Sequence, residues 1–215
     1  MIWNLTYFSK VTFILLIMLI PCKFLFALSS DSKIIESNLP KIIYIIRHGE
    51  KPSPEKIDNG NLICQGFIRS LKIPRIFSKL NINILVAPKP NFILADNIAT
   101  SGQRSFETII PFSIMYSLPI YAHFNKDGVE DVAKELMNEY KGKTILMAWE
   151  HKNISGILSF LGVKNPPIWP DSDFDSVYKV TFDSTSLEPI LNTSMKQLID
   201  TQKITADSCK ELQLP

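Results

Sequence analysis

The sequence predicts an α/β fold, a three-layer sandwich in which a largely parallel sheet is flanked by helices. Two patterns support this prediction. Short, continuously apolar runs such as residues 41–46 and 144–149 have the length and composition of strands that are buried on both faces. Segments with apolar residues at helical spacing lie between these runs, and alternating strands and helices are typical of parallel sheets.

The first elements follow directly from residue composition. Residues 41–46 are continuously apolar after Lys41 and form the first predicted strand. Residues 51–61 are rich in Pro, Gly, Asn and charge, which indicates a loop. Residues 62–80 have helical spacing, with a predicted break at Pro74, and residues 82–86 form the second strand.

The middle of the chain continues the alternation of strands and helices. Residues 87–99 contain two prolines and are predicted to be a loop, after which residues 103–113 are helical. Residues 119–123 form the third strand. Residues 128–140 carry apolar residues at helical spacing and acidic residues early, as a helix N-terminus favours, and residues 144–149 form the fourth strand.

The last elements are less regular. Residues 154–161 form the next predicted helix, and residues 176–182 alternate between apolar and polar, which indicates a final strand at the edge of the sheet. The main domain is therefore predicted to cover residues 41–183. Residues 184–215 are predicted to be a C-terminal extension. From residue 187 onward its periodicity is weak, which fits either a terminal helix or a loose tail.

The N-terminal segment differs in composition from the rest of the chain. Residues 1–29 contain no acidic residue and two basic ones, and residues 11–20 are almost entirely apolar. This run is shorter than the roughly 20 residues of a membrane-spanning helix, and the pattern is typical of a secretory signal peptide cleaved after Ser29. An uncleaved membrane anchor is the alternative. We expect residues 30–40 to be a flexible lead-in and the protein to be periplasmic or secreted.

Charge and cysteine usage exclude several classes of function. Without the leader, the chain has 21 acidic and 21 basic residues, and no basic run indicates nucleic-acid binding. No Cys/His spacing resembles a metal site, so we expect neither a metal nor a cofactor. Outside the leader, Cys64 and Cys209 form a disulfide or remain free, and their separation in sequence does not decide between the two.

A charged cluster follows the first predicted strand. Arg47-His48-Gly49-Glu50 comes directly after the apolar run, at the carboxyl end of a strand, where open α/β sheets place their ligand sites. Burying Arg and His beside a sheet is costly unless an anion occupies the site. The cluster therefore predicts an anion-binding site.

Two further segments carry polar residues in similar positions. Ser101-Gly102-Gln103-Arg104 opens the helix predicted at residues 103–113, and Thr108 follows four residues after the arginine. The strand predicted at residues 144–149 is followed directly by Glu150 and His151. A histidine therefore follows each of two predicted strands.

These three motifs, in this order, resemble those of the histidine phosphatase superfamily, which has the phosphoglycerate-mutase-like fold. The resemblance covers roughly residues 41–183. It implies that His48 is the nucleophile that accepts phosphate and that His151 is the second catalytic histidine. It also implies that Arg47 and Arg104 bind the phosphate of a small phosphorylated substrate. We expect the two arginines to lie together without carboxylate partners that balance their charge.

The resemblance does not identify the acid that protonates the leaving group. One branch of the superfamily uses a glutamate after the second motif, and another uses the residue after the second histidine, which is Lys152 in this chain. The candidates are Glu150, which we take as the catalytic carboxylate, and also Asp127 and Glu130.

Other positions depart from the family pattern or are claimed by no motif. Residues 87–99 form an insertion that separates the second strand from Arg104 and overhangs the predicted site. A weaker fourth motif around Gly66 has Ile63 where the family often has Thr. Glu50 either contacts substrate or orients a basic group. His123 is interpreted as structural.

The function predicted is that of a secreted or periplasmic phosphomonoester hydrolase, independent of metal, that acts through a phosphohistidine intermediate on His48. A non-catalytic phosphate- or phosphoglycan-binding module on the same fold is the alternative. A phosphomutase is less favoured, because mutases act on cytosolic metabolites. We expect no nucleic-acid partner, and membrane contact only through an uncleaved leader.

Overall fold

The structure, a computed structural model, describes most of the chain after the leader. It covers residues 38–53, 55–56, 58, 60–90, 102–201, 203–205 and 207–209, all within one compact unit. The predicted signal peptide (residues 1–29) and most of the predicted lead-in and insertion lie outside the described residues. The predictions made for those segments therefore remain predictions.

The strands of the described chain form one mixed sheet in the order β3-β2-β4-β1-β5-β6. Strands β1 to β4 run parallel to one another, whereas β5 is antiparallel to both of its neighbours, β1 and β6, so the sheet is largely parallel as predicted. The strands are β1 (Ile42–Arg47), β2 (Ile84–Val86), β3 (Ile120–Tyr121), β4 (Thr144–Trp149), β5 (Ser176–Phe182) and β6 (Pro189–Lys196).

Two helices cover each face of the sheet, and this arrangement confirms the predicted three-layer sandwich. No helix in the described part of the chain is long and apolar enough to cross a membrane. The helices are α1 (Cys64–Phe77), α2 (Gln103–Tyr116), α3 (Val129–Glu139) and α4 (His151–Phe160), followed by a 3₁₀ turn at Asp207–Cys209.

Alternation along β1 explains why its sequence is continuously apolar. Ile43 and Ile45 pack toward α3 and α4, whereas Tyr44 and Ile46 pack toward α1 and α2. All four side chains are buried. Full burial of an aliphatic side chain contributes about 1.5–3 kcal/mol, so the strand is stabilised from both sides and holds the residues that follow it rigidly.

The predicted break at Pro74 is wrong, because α1 continues through this proline to Phe77. Pro74 removes one backbone hydrogen bond and costs a helix interior about 3 kcal/mol. Ile73 and Phe77 on either side of it are fully buried against the sheet. The burial of these two side chains offsets the cost, and the helix remains continuous.

The C-terminal segment also differs from the prediction. Residues 189–196, expected to lie in a terminal helix or a loose tail, form β6 and pair with β5 in antiparallel register. The predicted edge position of β5 is therefore wrong, since β5 lies between β1 and β6. β6 is mostly exposed and lacks a regular apolar pattern, so the backbone hydrogen bonds to β5 hold it in the sheet.

A disulfide connects the end of the described chain to the first helix. Cys64 at the start of α1 bonds to Cys209, with the two Cα atoms 5.7 Å apart. Nearby, the Gln65 side chain donates a hydrogen bond to the Ile204 carbonyl. The C-terminal segment is therefore fixed against α1, and the choice that the sequence leaves open for these cysteines is resolved in favour of pairing.

Two glycines allow α1 to approach the loop that follows β1. A Cβ atom on Gly49 would lie 2.9 Å from the Gly66 Cα, and a Cβ atom on Gly66 would lie 2.6 Å from the Glu50 carbonyl oxygen. Only glycine fits such an approach of two backbones. The glycine of the weak fourth motif, Gly66, therefore leaves the space that the backbone of residues 49–50 occupies.

We expect Gly66→Ala to destabilise the protein by about 1–3 kcal/mol, because the added methyl group would overlap backbone atoms that have no free space in which to move. Chemical denaturation monitored by circular dichroism measures this loss. Gly156→Ala in α4 is the matched control. Its Cβ would lie 3.5 Å from Val129, an ordinary contact, and alanine favours the helix by up to about 1 kcal/mol. Equal stability of the two variants would contradict the prediction.

Candidate active site

The site lies where β1 and β4 end side by side. The strands pair in parallel register, with Arg47 opposite Trp149, and the His48 amide donates to the Trp149 carbonyl oxygen at 3.1 Å. His48 follows β1 directly and His151 opens α4 just after β4. Their ring centroids lie 6.5 Å apart. The structure therefore brings together the two histidines that the sequence places far apart.

His48 is held in the state that a nucleophile requires. Its Nδ1 atom lies 2.7 Å from the Gly49 carbonyl oxygen, which is only an acceptor, so Nδ1 carries the proton and Nε2 keeps a free lone pair. Burial lowers the pKa of His48 to about 4, and the positive charges of Arg47 and Arg104 act in the same direction. The imidazole is therefore neutral at physiological pH.

Arg47 is buried at the end of β1 with its charge only partly compensated. Its guanidinium lies over the Phe174 ring, 3.7 Å from the centroid, and donates to the carbonyl oxygens of Asp171 and Asp173. Its Nε atom is buried and has no partner among the described residues. Burial lowers the pKa of Arg47 to about 10, which leaves it charged at neutral pH.

His151 also has an unsatisfied nitrogen. The ring is buried at the N-terminus of α4, and its Nε2 atom lies 2.7 Å from a carboxylate oxygen of Asp171. Its Nδ1 atom is buried without a hydrogen-bond partner in the described part of the chain. Burial lowers the pKa of His151, which favours the neutral ring. Buried polar atoms without a partner are rare and indicate a ligand or solvent contact.

Arg104 is the second residue of α2 and points toward the loop that follows β1. Its Nε atom donates to the Asn61 carbonyl oxygen at 3.1 Å, and its Nη2 atom forms an ion pair with Asp58. The expectation that Arg104 lacks a carboxylate partner is therefore wrong. Asp58 is half exposed, so an incoming anion has access to the same guanidinium.

Thr108 explains why the second motif needs a hydroxyl four residues after its arginine. Its Oγ1 atom accepts a hydrogen bond from the Gly49 amide at 2.8 Å and donates one to the Arg104 carbonyl oxygen at 2.7 Å. The buried threonine therefore joins the first turn of α2 to the loop that carries His48. This contact sets the position of Arg104 relative to His48.

A polar cavity of about 80 Å³ opens beside His48. Three of its lining side chains are cationic and one is a carboxylate. Lys126 is not predicted from the sequence. Its backbone is held in place by the Trp149 indole and the Asn153 side-chain amide, which both donate to the Lys126 carbonyl oxygen. The cavity is lined by His48, Lys51, Pro88, Gly102, Arg104, Ser105, Lys126 and Glu150.

Glu150 is the candidate acid that the structure places in this cavity. It accepts a hydrogen bond from Lys126 at 2.8 Å. Burial acts to raise the pKa of Glu150, but Lys126 holds it below its ordinary value, so Glu150 is a carboxylate at neutral pH. Asp127 and Glu130 do not line the cavity. Asp127 is exposed and bonds to Asn153, whereas Glu130 pairs with a surface lysine.

Glu50 does not line the cavity, and of the two roles left open for it the structure shows contact with a basic side chain and not with the candidate substrate site. Its carboxylate forms an ion pair with the buried Arg69 at 2.8 Å and accepts a hydrogen bond from Thr201. Glu50 therefore joins α1 to the C-terminal segment. His123, interpreted as structural, lies on the surface and contacts Glu135, outside the cavity.

A loop between α4 and β5 completes the site and is missed by sequence reasoning. Because β5 is antiparallel to β1, the start of β5 lies beside the end of β1, with Val177 opposite Ile46. The preceding residues 171–175 therefore reach the two histidines. The sequence signal is the run Asp-Ser-Asp-Phe-Asp just before a predicted strand, but it indicates proximity only once β5 is known to be antiparallel.

Neutral imidazole, guanidinium and ammonium groups together suit a phosphate-sized anion. His48 is positioned at a rigid strand end, and Lys51, Arg104 and Lys126 line the cavity beside it. In the described part of the chain, no group of three or more His, Cys, Asp or Glu side chains is placed to hold a metal ion.

The fold of this chain is similar to that of three solved structures that are phosphatases. A mycobacterial glucosyl-3-phosphoglycerate phosphatase in complex with inorganic phosphate is 10% identical and has a TM-score of 0.52, covering 74% of this chain and 100% of its own. A mutant phosphoserine phosphatase from Entamoeba histolytica in complex with phosphoserine is 13% identical, with a TM-score of 0.53 and coverage of 74% and 100%. An α-ribazole phosphatase from Shigella flexneri is 11% identical, with a TM-score of 0.55 and coverage of 74% and 98%.

No protein-family model matches the chain, and no curated protein matches it in sequence. The likeness to the solved structures shows the fold of this chain, which is the phosphoglycerate-mutase-like α/β fold of these phosphatases. The resemblance seen in the motifs is therefore confirmed at the level of the fold.

We expect Asp58→Asn to strengthen the binding of inorganic phosphate about two- to fivefold, because the substitution removes the carboxylate that competes for Arg104. A half-exposed ion pair of this kind contributes up to about 1 kcal/mol. Isothermal titration calorimetry measures the change. Glu55→Gln in the same loop is the matched control, since Glu55 is exposed and has no contact with Arg104. Weaker binding by Asp58→Asn would show that Asp58 supports the site rather than competing with the anion.

Proposed function

We propose that this protein is a phosphomonoester hydrolase that acts through a phosphohistidine intermediate on His48. One observation carries the proposal: a neutral, buried imidazole with a free Nε2 lone pair lies at the end of β1, among Arg47, Arg104 and His151. The geometry matches what phosphoryl transfer requires of a protein, namely a positioned nucleophile and charge stabilisation.

In the first step, the Nε2 atom of His48 attacks phosphorus and the bond to the leaving oxygen breaks. The two arginines neutralise the charge on the transferred phosphoryl group. The unpartnered Arg47 Nε and His151 Nδ1 atoms are the groups that we assign to its remaining oxygens. An anion at this position satisfies the buried Arg47 Nε atom, and it satisfies His151 Nδ1 when that atom carries a proton, which favours its binding.

In the second step, water attacks the phosphohistidine and releases inorganic phosphate, and His48 recovers its free lone pair. This step needs a base. We propose that Glu150 serves this purpose, because it is ionised and lines the same cavity as His48. Glu150 passes the proton that it gains from water to solvent, and the leaving oxygen of the first step departs as an anion that takes a proton from solvent, so the cycle balances with Glu150 ionised at its start.

The pairing of Glu150 with Lys126 bears on the choice of substrate. A carboxylate held in its ionised form is a weak donor to a leaving group. We therefore propose that esters with acidic leaving groups, such as aryl phosphates, react fastest. The fold neighbours named above include enzymes for small phosphorylated molecules, and we propose a small phosphorylated substrate here as well.

We also propose that the protein is exported. The composition of residues 1–29 supports a signal peptide, and the disulfide between Cys64 and Cys209 supports an oxidising compartment. The envelope or the extracellular medium then contains the substrate.

Replacing the proposed nucleophile tests the function directly. We expect His48→Ala to lower kcat for p-nitrophenyl phosphate by more than about a thousandfold, because positioning groups alone do not replace a nucleophile. The wild-type protein should keep its rate after treatment with a chelator. His123→Ala is the matched control, because His123 is exposed and outside the cavity, and it should keep the wild-type rate.

Three outcomes would contradict this proposal. Turnover by His48→Ala close to the wild-type rate would exclude His48 as the nucleophile. Activity lost to the chelator and restored by a divalent cation would contradict metal independence. Phosphate binding by a wild-type protein that never hydrolyses an ester would instead favour the phosphate-binding module.

For the proposed export, we expect the protein purified from the medium or the periplasm to begin near Ser30. N-terminal sequencing of the mature protein measures this. A membrane-associated chain that still carries residues 1–20 would contradict cleavage and favour the uncleaved anchor.

A further inference from the structure

The contact between His151 and Asp171 joins a buried ring to an exposed carboxylate. The side chain of His151 is 4% exposed, whereas that of Asp171 is 87% exposed, and the Nε2 and Oδ1 atoms lie 2.7 Å apart. The carboxylate therefore covers the imidazole from the solvent side. Its backbone carbonyl at the same time accepts a hydrogen bond from Arg47.

The chemistry of this contact determines where the proton of His151 lies. An ionised carboxylate only accepts hydrogen bonds, so the Nε2 atom carries the proton. In a neutral ring, Nδ1 is then a lone pair, and a lone pair repels an anion. For Nδ1 to donate to a bound phosphoryl oxygen, His151 has to be protonated on both nitrogens.

We propose that Asp171 is a positioning residue whose carboxylate holds His151 as a doubly protonated imidazolium when an anion binds, so that anion binding takes up one proton. This inference rests on the anion site of the proposed function. The imidazolium then lies between two negative groups, the Asp171 carboxylate on Nε2 and the bound anion on Nδ1. Each of them makes the other interaction more favourable.

No other charged group described near His151 stabilises its protonated ring as Asp171 does. The positive charge of Arg47 disfavours a second proton on the His151 ring. The negative charge of Glu150 favours one, but the hydrogen bond that Glu150 accepts comes from Lys126 and not from His151. The His48 ring lies 6.5 Å away by its centroid and is neutral. Asp171 makes the direct hydrogen bond and is therefore the group that offsets Arg47.

The loop that carries Asp171 is held independently of this side chain. The indole of the buried Trp169 donates to the Asp173 carbonyl oxygen at 2.8 Å. The Asp173 carboxylate accepts hydrogen bonds from the amides of Asp175 and Ser176. We therefore expect Asp171→Asn to fold normally and to keep the backbone contact with Arg47, while it removes the negative charge beside His151.

The test is a ¹⁵N NMR titration of the imidazole nitrogens with and without sulfate. The chain has three histidines, so their signals are few, and sulfate takes up no proton near neutral pH. In the wild-type protein we expect sulfate to raise the pKa of His151 and both nitrogens to be protonated in the complex. In Asp171→Asn, this rise should be smaller by about one unit or more, the typical effect of an adjacent opposite charge.

The same variant should bind sulfate about tenfold more weakly at neutral pH, because one pKa unit corresponds to tenfold in the equilibrium. Asp171→Glu should restore most of the wild-type behaviour, since it restores the charge. Asp131→Asn, in an exposed position on α3, should leave both measurements unchanged.

An equal rise in the pKa of His151 in wild type and Asp171→Asn would overturn the inference, and so would wild-type His151 that does not respond to sulfate. These results leave the phosphatase proposal intact if His48 still becomes phosphorylated during turnover. Absence of turnover together with normal proton uptake would overturn the proposed function and support the role of Asp171.

Discussion

The parallel, in-register pairing of β1 with β4 is the constraint on which the rest of the site depends. Both strands end at the same edge of the sheet. The rings of His48 and His151 therefore lie 6.5 Å apart although the two residues are far apart in sequence. Buried apolar side chains on both faces of β1 make the end of this strand rigid. The approach of Gly49 to Gly66 and the Thr108 hydroxyl then bring α1 and α2 to the same position.

Charge distribution is the second property that organises the site. Three basic side chains near His48 each contact one carboxylate. Arg104 pairs with Asp58, His151 with Asp171 and Lys126 with Glu150. Two of these carboxylates, Asp58 and Asp171, are half exposed or more, and exposed ion pairs contribute little to stability. Such pairs limit repulsion among the cations at little gain in stability.

Arg47, the buried cation at the end of β1, differs from these three in having no carboxylate contact in the described part of the chain. Among the described residues, the guanidinium of Arg47 contacts only carbonyl oxygens and the face of the Phe174 ring, and burial acts against its charge. Leaving a buried guanidinium without a carboxylate partner costs stability, and such costs occur where function requires them. Under the proposed function, a phosphoryl group would supply the missing negative charge, which gives a physical reason for this arginine at the end of β1.

The sequence by itself determined the elements whose signal is local. The continuous apolar runs of β1 and β4, the alternation with helices, and the motif residues Arg47, His48, Arg104 and His151 were all predictable, because strand burial and motif spacing are properties of short segments. Tertiary structure alone decided the rest. Burial of neighbouring side chains carries α1 through its proline, and the backbone of β5 holds β6 although its side chains show no pattern. Asp171 reaches His151, and Lys126 reaches Glu150, through long-range pairing and loop contacts that no local pattern records. Glu50 turns toward Thr201, far along the chain, for the same reason.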